Sequence, residues 1–267
     1  MKKPQILLTN DDGIRSPGLW AAAASLSELG YVTVTAPREQ SSGAGRSLPN
    51  TSDGTISEEQ VQVNSQVWNV FAVGGSPAQA VLHGVLEVLK FKPDLLVSGI
   101  NYGENVASGV TISGTVGAAM EAASLGIPAL AVSLEAHSKY HLSYSQDMDF
   151  LVAAGFTAQI ARLLLEKKFP EDVNLLKVDV PSDATADTPW QLTRVSKQRY
   201  YEPIAPERNS PREPGVVGYV ESAVLENEPD DTDVYVLRKK RWVSVSPLSL
   251  DLSSRVDLAE LDKLMRK

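Results

Sequence analysis

Residues 5–13 read Gln-Ile-Leu-Leu-Thr-Asn-Asp-Asp-Gly, a short apolar run that ends in two adjacent acids and a glycine. The first five of these residues predict a buried strand, because a short apolar run bounded by turn residues is typical of one. Pro17 suits the first turn of a helix, which we predict to extend to about Leu29. Residues 31–36 predict a second strand. The chain therefore opens with a strand, a helix and a strand, as α/β proteins do.

The same alternation continues through the first two-thirds of the chain. The predicted elements are a hairpin at residues 61–73 with its turn at Asn64-Ser65-Gln66, a helix at 77–90, a strand at 94–100, a helix at 113–125, a strand at 128–134, a helix at 147–167 and a strand at 174–180. Strands that alternate with helices form a parallel sheet covered on both faces. We therefore predict an α/β core over residues 1–185.

From about residue 186 the pattern changes, since prolines become frequent and the helical periodicity stops. β-like segments are predicted near residues 190–200, 216–224, 232–238 and 241–247. A short amphipathic helix is predicted at residues 257–266. Residues 186–267 are therefore predicted to form a C-terminal region of β-hairpins that ends in a helix.

The composition narrows the classes of function. The chain has 25 Lys and Arg and 33 Asp and Glu, which gives a net charge of −8. This charge argues against a nucleic-acid binder, because such proteins concentrate basic residues. The absence of cysteine excludes disulfides, thiolate nucleophiles and Cys-ligated zinc. No stretch approaches the roughly 18 apolar residues of a membrane helix, and the N-terminus lacks a signal-peptide core. We expect a cytoplasmic protein that acts on a small molecule, without nucleic-acid or membrane partners.

The two adjacent acids are the first candidate site, because ligands of open α/β sheets bind beyond the carboxyl ends of the strands. Asp11 and Asp12 repel each other unless a cation or a shared proton compensates their charge. Gly13 allows a sharp turn, so that the two carboxylates can converge. Oxygen ligands of this kind suit Mg²⁺ or Mn²⁺. A plain Asp-Asp-Gly turn that caps a helix remains an alternative.

Two further loops could complete a cation site at this edge. The loop at residues 36–47 is rich in hydroxyls and glycines, and its Ser42 could supply a neutral oxygen ligand while Arg46 meets a phosphate. Asn101 follows the predicted strand at residues 94–100, so its amide oxygen could join the same cation. A flexible surface loop and ordinary turn chemistry are the respective alternatives.

The segment Ser113-Gly114-Thr115-Val116-Gly117 opens a predicted helix. Free backbone N–H groups and the helix dipole make such an N-terminus an anion site, and the two hydroxyls add donors. A plain N-cap with glycines for close packing is the alternative. We favour phosphate binding because this turn lies at the same edge of the sheet as the acids. A cation there would polarise a phosphate oxygen and activate water, while the helix holds the phosphoryl group.

Other site types receive less support from the sequence. The first strand is not followed by Gly-x-Gly-x-x-Gly, and the chain lacks a P-loop motif. His137 and His141 have a helical spacing that could bind zinc, but a third ligand is not apparent, so we expect them near solvent or the substrate entrance. The basic run at residues 238–241 predicts a solvated turn or a subunit contact. His83, in the predicted helix at residues 77–90, is expected to be a packing or hydrogen-bonded residue.

Several of these motifs occur together in one known family. The matching residues are Thr9-Asn10-Asp11-Asp12-Gly13-Ile14, Ala36-Pro37 with Ser42, Gly75-Ser76-Pro77-Ala78, Ser98-Gly99-Ile100-Asn101 with Gly103, Ser113-Gly114-Thr115-Val116-Gly117-Ala118 and Pro247-Leu248-Ser249-Leu250-Asp251. With these motifs the chain resembles the survival protein SurE family of nucleotidases. The resemblance is detailed to about residue 135 and thinner afterwards.

The resemblance implies a Rossmann-like three-layer core with a mostly parallel sheet, and a C-terminal β-hairpin exchanged within a homodimer or homotetramer. It implies hydrolysis of 5′- and 3′-nucleoside monophosphates, and of short polyphosphate in some members. It implies one divalent cation per subunit, Mg²⁺ or Mn²⁺, bound by Asp11, Asp12, Ser42 and Asn101. We assign catalysis to Asp11, Asp12, Asn101 and Ser113. We assign substrate and phosphate contacts to Asn10, Arg46, Ser113, Gly114 and Thr115.

This chain departs from the family pattern at two positions. Family members usually have Asp where this chain has Gln79, and they often have Tyr or His where it has Ile112. Both lie outside the implied cation ligands, so they bear on substrate preference and rate. We favour an attacking water activated by the cation over a covalent aspartyl intermediate. The alternatives are a non-catalytic nucleotide- or phosphate-binding module and a haloacid-dehalogenase-type phosphatase. The latter would need Asp-x-Asp after the first strand.

Overall fold

The computed structural model describes residues 3–63, 66–141, 145 and 147–266. Its first elements are β1 (Gln5–Thr9), α1 (Pro17–Leu26), β2 (Tyr31–Pro37), β3 (Ile56–Val63), β4 (Gln66–Val73), α2 (Pro77–His83), β5 (Leu95–Tyr102), α3 (Gly114–Ser124), β6 (Ala129–Leu134), α4 (Leu151–Glu166) and β7 (Leu175–Val180). The chain continues with β8 (Trp190–Leu192), β9 (Tyr201–Ile204), β10 (Gly218–Glu221), α5 (Asp233–Tyr235), β11 (Val243–Leu248) and α6 (Leu258–Met265). Short 3₁₀ turns lie at Ala107–Thr111 and Ser138–Tyr140, and π-helical turns at Gly84–Leu89 and Val236–Lys240.

Nine of these strands form one sheet in the order β3-β4-β2-β1-β5-β6-β7-β11-β8. The strands from β4 to β7 in this order run parallel to one another. β3 pairs antiparallel with β4, β11 pairs antiparallel with β7, and β8 pairs parallel with β11. The predicted mostly parallel sheet is confirmed.

Helices cover both faces of this sheet. α1 packs against α4 on one face, and α2 packs against α3 on the other. Ile6 and Leu8 join the first of these two cores and Leu7 joins the second, because successive side chains of a strand point to opposite faces. β1 is therefore apolar on both sides, which explains the run that opens the chain. The predicted three-layer α/β fold is confirmed.

The loops after β1 and β5 meet at the centre of the sheet. The chain leaves β1 towards β2 on one side, whereas β5 lies on the other side of β1. Ligands of open α/β sheets bind at such a switch point, outside the carboxyl ends of the strands. Thr9 at the end of β1 is the register partner of Ser98 in β5. The segments that follow these two residues are thereby placed side by side.

The helices of the first part follow the predictions closely. The predicted helix at residues 77–90 is α2 followed without a break by the π-helical turn, and Lys90 ends it in the left-handed region (φ 59°). α4 begins at Leu151, four residues later than predicted at 147. Among the described residues, no helix has the length and apolar character needed to cross a bilayer.

The predicted hairpin at residues 61–73 begins earlier, since β3 starts at Ile56. β3 and β4 pair antiparallel, with Val63 opposite Gln66. Asn64 and Ser65 of the predicted turn lie outside the described residues. The hairpin extends the parallel sheet beyond β2 and forms one of its edges.

The C-terminal region is divided between two sheets. β8 and β11 join the main sheet, whereas β9 and β10 form a separate two-stranded antiparallel sheet. The predicted segment at residues 190–200 is shorter than expected, while β10, β11 and the terminal helix α6 lie where β-like or helical structure was predicted. The domain division between residues 185 and 186 stays a prediction.

The prediction of a β-like segment at residues 232–238 is wrong, because this stretch is helical. The Thr232 hydroxyl caps it by accepting a hydrogen bond from the backbone N–H of Tyr235 (3.4 Å). Asp233 is fully buried and accepts a hydrogen bond from Lys177 (3.2 Å). These contacts outweigh the β preference of the alternating valines, which depends strongly on context.

Candidate metal and phosphate site

The loop after β1 is braced by its own side chains. Asn10 donates from Nδ2 to the carbonyl of Gly13 (3.1 Å) and accepts at Oδ1 from the Gly13 N–H (3.2 Å). Gly13 has φ 96°, a conformation that suits glycine. The Ile14 N–H donates to the carbonyl of Pro37 (2.9 Å), which anchors the loop to β2. Asn10, predicted as a substrate contact, is thus occupied in closing the turn that carries the acids.

Asp11 is buried, with 4% of its surface exposed. Its Oδ1 accepts a hydrogen bond from the Thr115 hydroxyl (2.5 Å), and its carbonyl accepts one from the Ser41 N–H (2.7 Å). Burial raises the pKa of Asp11 above its ordinary value, against the hydrogen bond from Thr115, which lowers it. The acid after β1 is therefore tied directly to the first turn of α3.

Asp12 is buried equally well, with 1% of its surface exposed. It accepts hydrogen bonds from Gln40 Nε2 (3.0 Å) and from the Tyr102 N–H (3.2 Å). Burial raises the pKa of Asp12 well above its ordinary value, and the charge of Asp11 raises it further. The two acids therefore lie close enough to interact, as the sequence predicted.

Within the described part of the chain, neither acid forms an ion pair with a Lys, Arg or His side chain. Two buried carboxylates without a cationic partner are costly, because burying an uncompensated charge is unfavourable. A bound divalent cation would compensate both charges through hard oxygen ligands. The donor set of Asp11 and Asp12 therefore fits the predicted cation.

Asn101 lies on the neighbouring strand, where β5 is irregular against β6. The register between the two strands shifts between Ser98 and Asn101, a distortion that often re-aims side chains beside active sites. Asn101 donates from Nδ2 to the carbonyl of Gly103 (2.6 Å), which leaves its amide oxygen as the end for a ligand. Asp12 is bonded to the N–H of Tyr102, the next residue, so Asn101 is brought to the acids.

Ser42 occupies an exposed position in the loop after β2. The N–H of the preceding residue, Ser41, bonds to the backbone of Asp11, which brings this loop to the acids. The role of Ser42 as a cation ligand stays a prediction, as do the roles of the other assigned residues.

The N-terminus of α3 lies directly against the acids. Ser113 caps the helix by accepting at its hydroxyl from the Val116 N–H (3.1 Å). A Cβ added to Gly114 would lie 2.7 Å from the Cβ of Asp11, so only glycine fits here. A Cβ on Gly117 would lie 2.2 Å from the carbonyl oxygen of Gly45. The predicted anion-binding turn and the predicted cation ligands are thus brought together.

Arg46 is held on the side of α3. Its Nε donates to Oε2 of Glu121 (2.6 Å), while 41% of its side chain remains exposed. The predicted phosphate contact would therefore use the terminal nitrogens of the guanidinium group.

Gln79, one of the two departures from the family pattern, completes a capping box with Ser76 and bonds to Ser52 (2.7 Å). It thus has a structural role at the start of α2.

Gln40 is a site residue that the sequence analysis did not single out. It donates from Nε2 both to Asp12 and to the carbonyl of His141 (2.7 Å), and so joins two distant segments. The His141 side chain is itself buried, with its Nε2 near the carbonyl of Ala136 (2.9 Å).

Among the described residues, no group of three His, Cys, Asp or Glu side chains is arranged to hold a metal.

A buried ion triad was also missed. Lys177 contacts Asp179 and Asp233, and all three side chains are fully buried. Asp179 accepts from the N–H of Asn105 (2.7 Å), and Asp233 accepts from the N–H of Ala107 (3.1 Å). The triad therefore fixes the segment that leads from β5 to the start of α3. Its only signal in the sequence is two charged residues within an apolar strand.

Comparison with known proteins gives consistent matches. The family described as Survival protein SurE matches residues 6–202. A relative named 5′-nucleotidase SurE from Thermococcus gammatolerans is 42% identical over 262 residues, covering 98% of this chain and 96% of the relative. The protein of the same name from Methanocella arvoryzae is 39% identical, with 98% of each chain covered. The crystal structure of the SurE protein from Aquifex aeolicus superposes with a TM-score of 0.76 at 31% identity, covering 98% of this chain and 100% of that one.

Proposed function

The chain belongs to the SurE family, and we propose that it is a metal-dependent phosphoric monoester hydrolase of the 5′-nucleotidase type. Its substrates are nucleoside 5′- and 3′-monophosphates, with short polyphosphate as a further substrate. The names of the relatives support the nucleotidase activity. The observation that carries the proposal is a pair of buried acids, Asp11 and Asp12, beside the N-terminus of α3.

In this proposal one Mg²⁺ or Mn²⁺ per subunit is held by Asp11, Asp12, Ser42 and Asn101. When bound, the cation supplies Lewis-acid stabilisation of phosphate charge and makes water a stronger nucleophile. The buried acids contribute their charge, and their hydrogen bonds to Thr115, Gln40 and Tyr102 fix the direction of each carboxylate.

The start of α3 binds the phosphoryl group in this account. The first N–H groups of a helix have no partner within it, and the helix dipole favours negative charge there. The backbone N–H of Gly114 and the Ser113 hydroxyl supply donors that are fixed before the substrate arrives, while Thr115 holds Asp11 beside them. Such preorganised donors stabilise charge that develops during transfer. Arg46 completes the proposed substrate contacts, while Asn10 holds the loop through its two bonds to Gly13.

Water is the proposed nucleophile. Asp11 and Asp12 each accept hydrogen bonds that hold their oxygens in place, which suits ligands better than nucleophiles. Hydrolysis of a phosphate ester made chiral at phosphorus with oxygen isotopes is expected to invert the configuration, because a single in-line displacement by water does so. Net retention of configuration would instead indicate two displacements through an aspartyl intermediate.

We further propose a cytoplasmic homodimer or homotetramer with an exchanged C-terminal hairpin, and without nucleic-acid or membrane partners. Support comes from the β9–β10 hairpin, which exposes 90% of Val216, 60% of Val217 and 50% of Val220 in the single chain. Exposed apolar side chains of this size favour burial in an interface. Light scattering coupled to gel filtration would give the mass, and a monomer at micromolar concentration would contradict this part.

Two alternatives are less well supported. A haloacid-dehalogenase-type phosphatase would need Asp-x-Asp after β1, whereas the acids here are adjacent. A non-catalytic nucleotide-binding module would have to rest on the departures from the family pattern at Gln79 and Ile112, but Gln79 has a structural role as part of the cap of α2. The family match favours neither alternative.

The test is release of inorganic phosphate from AMP with and without EDTA. We expect turnover that EDTA abolishes and added Mn²⁺ restores. Turnover that is indifferent to chelation would contradict the role of the cation. A rise in melting temperature with AMP, without turnover, would indicate the binding module.

A further inference from the structure

Three aromatic rings form a cluster beside the acid site, which we call the aromatic rim: His141, Tyr201 and Tyr219. The ring of Tyr219 lies nearly parallel to that of His141, with ring centroids 6.0 Å apart and planes 19° apart, and its hydroxyl lies 2.8 Å from His141 Nδ1. Tyr201 packs edge-on against Tyr219, at 5.2 Å between centroids. The ring of Tyr219 is thus held in one orientation on two sides.

The aromatic rim is joined to the acid site through short contacts. Gln40 bonds at once to Asp12 (3.0 Å) and to the carbonyl of His141 (2.7 Å). A Cβ on Gly103 would lie 2.4 Å from His141 Nε2, so this ring rests on the segment that follows Asn101. The rim therefore borders the cation-binding side of the site.

A second contact joins the rim to the phosphate-binding side. A Cβ on Gly109 would lie 3.5 Å from the ring of Tyr201, and Gly109 belongs to the 3₁₀ turn just before Ser113. Tyr201 also donates from its hydroxyl to the carbonyl of Glu104 (2.9 Å). The rim therefore extends from the end of β5 to the approach to α3.

Apolar surface remains open at this rim. Tyr219 exposes 41% of its surface although two rings contact it, so a large part of its side chain is open to solvent. A supported aromatic face of this kind is suited to stack against a flat, conjugated ligand.

We propose that Tyr219, supported by His141, is the platform on which the nucleobase of the substrate stacks. The inference rests on the proposed nucleotidase function. The sugar of a nucleoside monophosphate separates its base from its phosphate, so a base-binding surface must lie beside the phosphate site. The aromatic rim occupies such a position. Stacking on an aromatic ring tolerates every base, because every base has a π-face. Stacking therefore favours nucleotides over sugar phosphates that lack a base.

The experiment compares AMP with ribose 5-phosphate, which presents the same sugar and phosphate without the base. For Tyr219→Ala we expect the ratio of kcat/KM for AMP to that for ribose 5-phosphate to fall about tenfold to one hundredfold, mainly through KM for AMP. Tyr219→Leu keeps apolar bulk in the hairpin and should lower the ratio similarly. Tyr219→Phe keeps the ring, and should keep the ratio within about threefold of the wild type.

Tyr31→Ala is the matched control. Tyr31 exposes 59% of its surface and is the first residue of β2, whereas the loop that reaches the acid site follows the last residue of this strand. The inference is overturned if Tyr219→Ala and Tyr219→Leu keep the wild-type ratio of kcat/KM for AMP to kcat/KM for ribose 5-phosphate. That result would leave the nucleotidase function intact. If the wild type releases no phosphate from AMP, the proposed function fails. The same ratio is then measured from calorimetric Kd values, where an equal loss for both ligands overturns the inference.

Discussion

The hydroxyl of Thr115 donates a hydrogen bond to Oδ1 of Asp11 across 2.5 Å, although 104 positions separate the two residues in the chain. Thr115 lies in the first turn of α3, and Asp11 follows β1. Both side chains are buried, so the bond is shielded from water. The contact unites the predicted anion-binding turn with the predicted cation ligands, and it orients the carboxylate.

Thr115→Val removes this donor while keeping the shape of the side chain. Hydrogen bonds to charged groups contribute about 1.5–3 kcal/mol, so we expect the affinity for Mn²⁺ to fall about tenfold or more. Calorimetric titration of Mn²⁺ measures the change. Thr115→Ser keeps the hydroxyl and is the control. Wild-type affinity in Thr115→Val would show that the bond does not orient Asp11 for binding.

Gly114→Ala tests the close approach of α3 to Asp11. The added Cβ would lie 2.7 Å from the Cβ of Asp11 and 2.9 Å from its Oδ2, so the carboxylate must shift. A displacement on the order of 1 Å can reduce catalysis about one hundredfold, and we expect a loss of this size in kcat/KM for AMP.

Gly155→Ala in α4 is the matched control, because nothing lies within 4 Å of its added Cβ. This variant should gain about 0.5–1 kcal/mol of stability from helix propensity and keep wild-type activity. Equal activity in the two variants would contradict the packing of Gly114 on Asp11.

The stability of the protein should depend on the protonation of Glu104. Burial raises the pKa of Glu104 from 4.5 to about 7, against the hydrogen bond from the Tyr200 hydroxyl, which lowers it. The folded state therefore holds this proton more tightly than the unfolded state. The stabilisation is full below about pH 4.5 and is lost as the pH rises through about 7.

Glu104→Gln removes this titration. Relative to the variant, we expect the melting temperature of the wild type to fall between about pH 5 and pH 8. Thermal unfolding across this range measures the difference. Glu202→Gln, at an exposed glutamate of β9, is the control. A constant difference between the wild type and Glu104→Gln would refute the raised pKa.

Lys177→Met should destabilise the protein strongly, because it leaves the carboxylates of Asp179 and Asp233 buried without their cation. Breaking a buried ion pair costs about 3–5 kcal/mol, and we expect a decrease of this size in the free energy of unfolding by urea. Lys167→Met makes the same change at an exposed lysine. A loss below about 1 kcal/mol in Lys177→Met would show that the triad is not needed to hold the Asn105 segment.

The parts of the fold that local patterns determine could be predicted from the sequence. β1 is apolar on both faces, and α3 begins at a Ser cap followed by glycines, so both were found from short stretches. Asp11 and Asp12 were found because adjacent acids after a buried strand need compensation. The meeting of these elements followed from the rule that parallel strands present their carboxyl ends at one edge.

The remaining features depend on contacts between distant residues. Gln40 reaches Asp12 over 28 positions, and no local pattern distinguishes it from the polar residues around it. Lys177 is fully buried because Asp233, 56 positions later, supplies a carboxylate. The same pairing explains why residues 232–238 are helical, against a composition that favours a strand. Side-chain partners of this kind become visible only in three dimensions.

The central claim is that Asp11 and Asp12 together hold one divalent cation. Electron paramagnetic resonance titration of Mn²⁺ tests it most directly, with the wild type and Asp12→Asn measured in parallel for phosphate release from AMP. We predict one Mn²⁺ per chain in the wild type, and loss of both binding and turnover in Asp12→Asn at an unreduced melting temperature. Wild-type Mn²⁺ affinity in the folded Asp12→Asn variant would contradict the account.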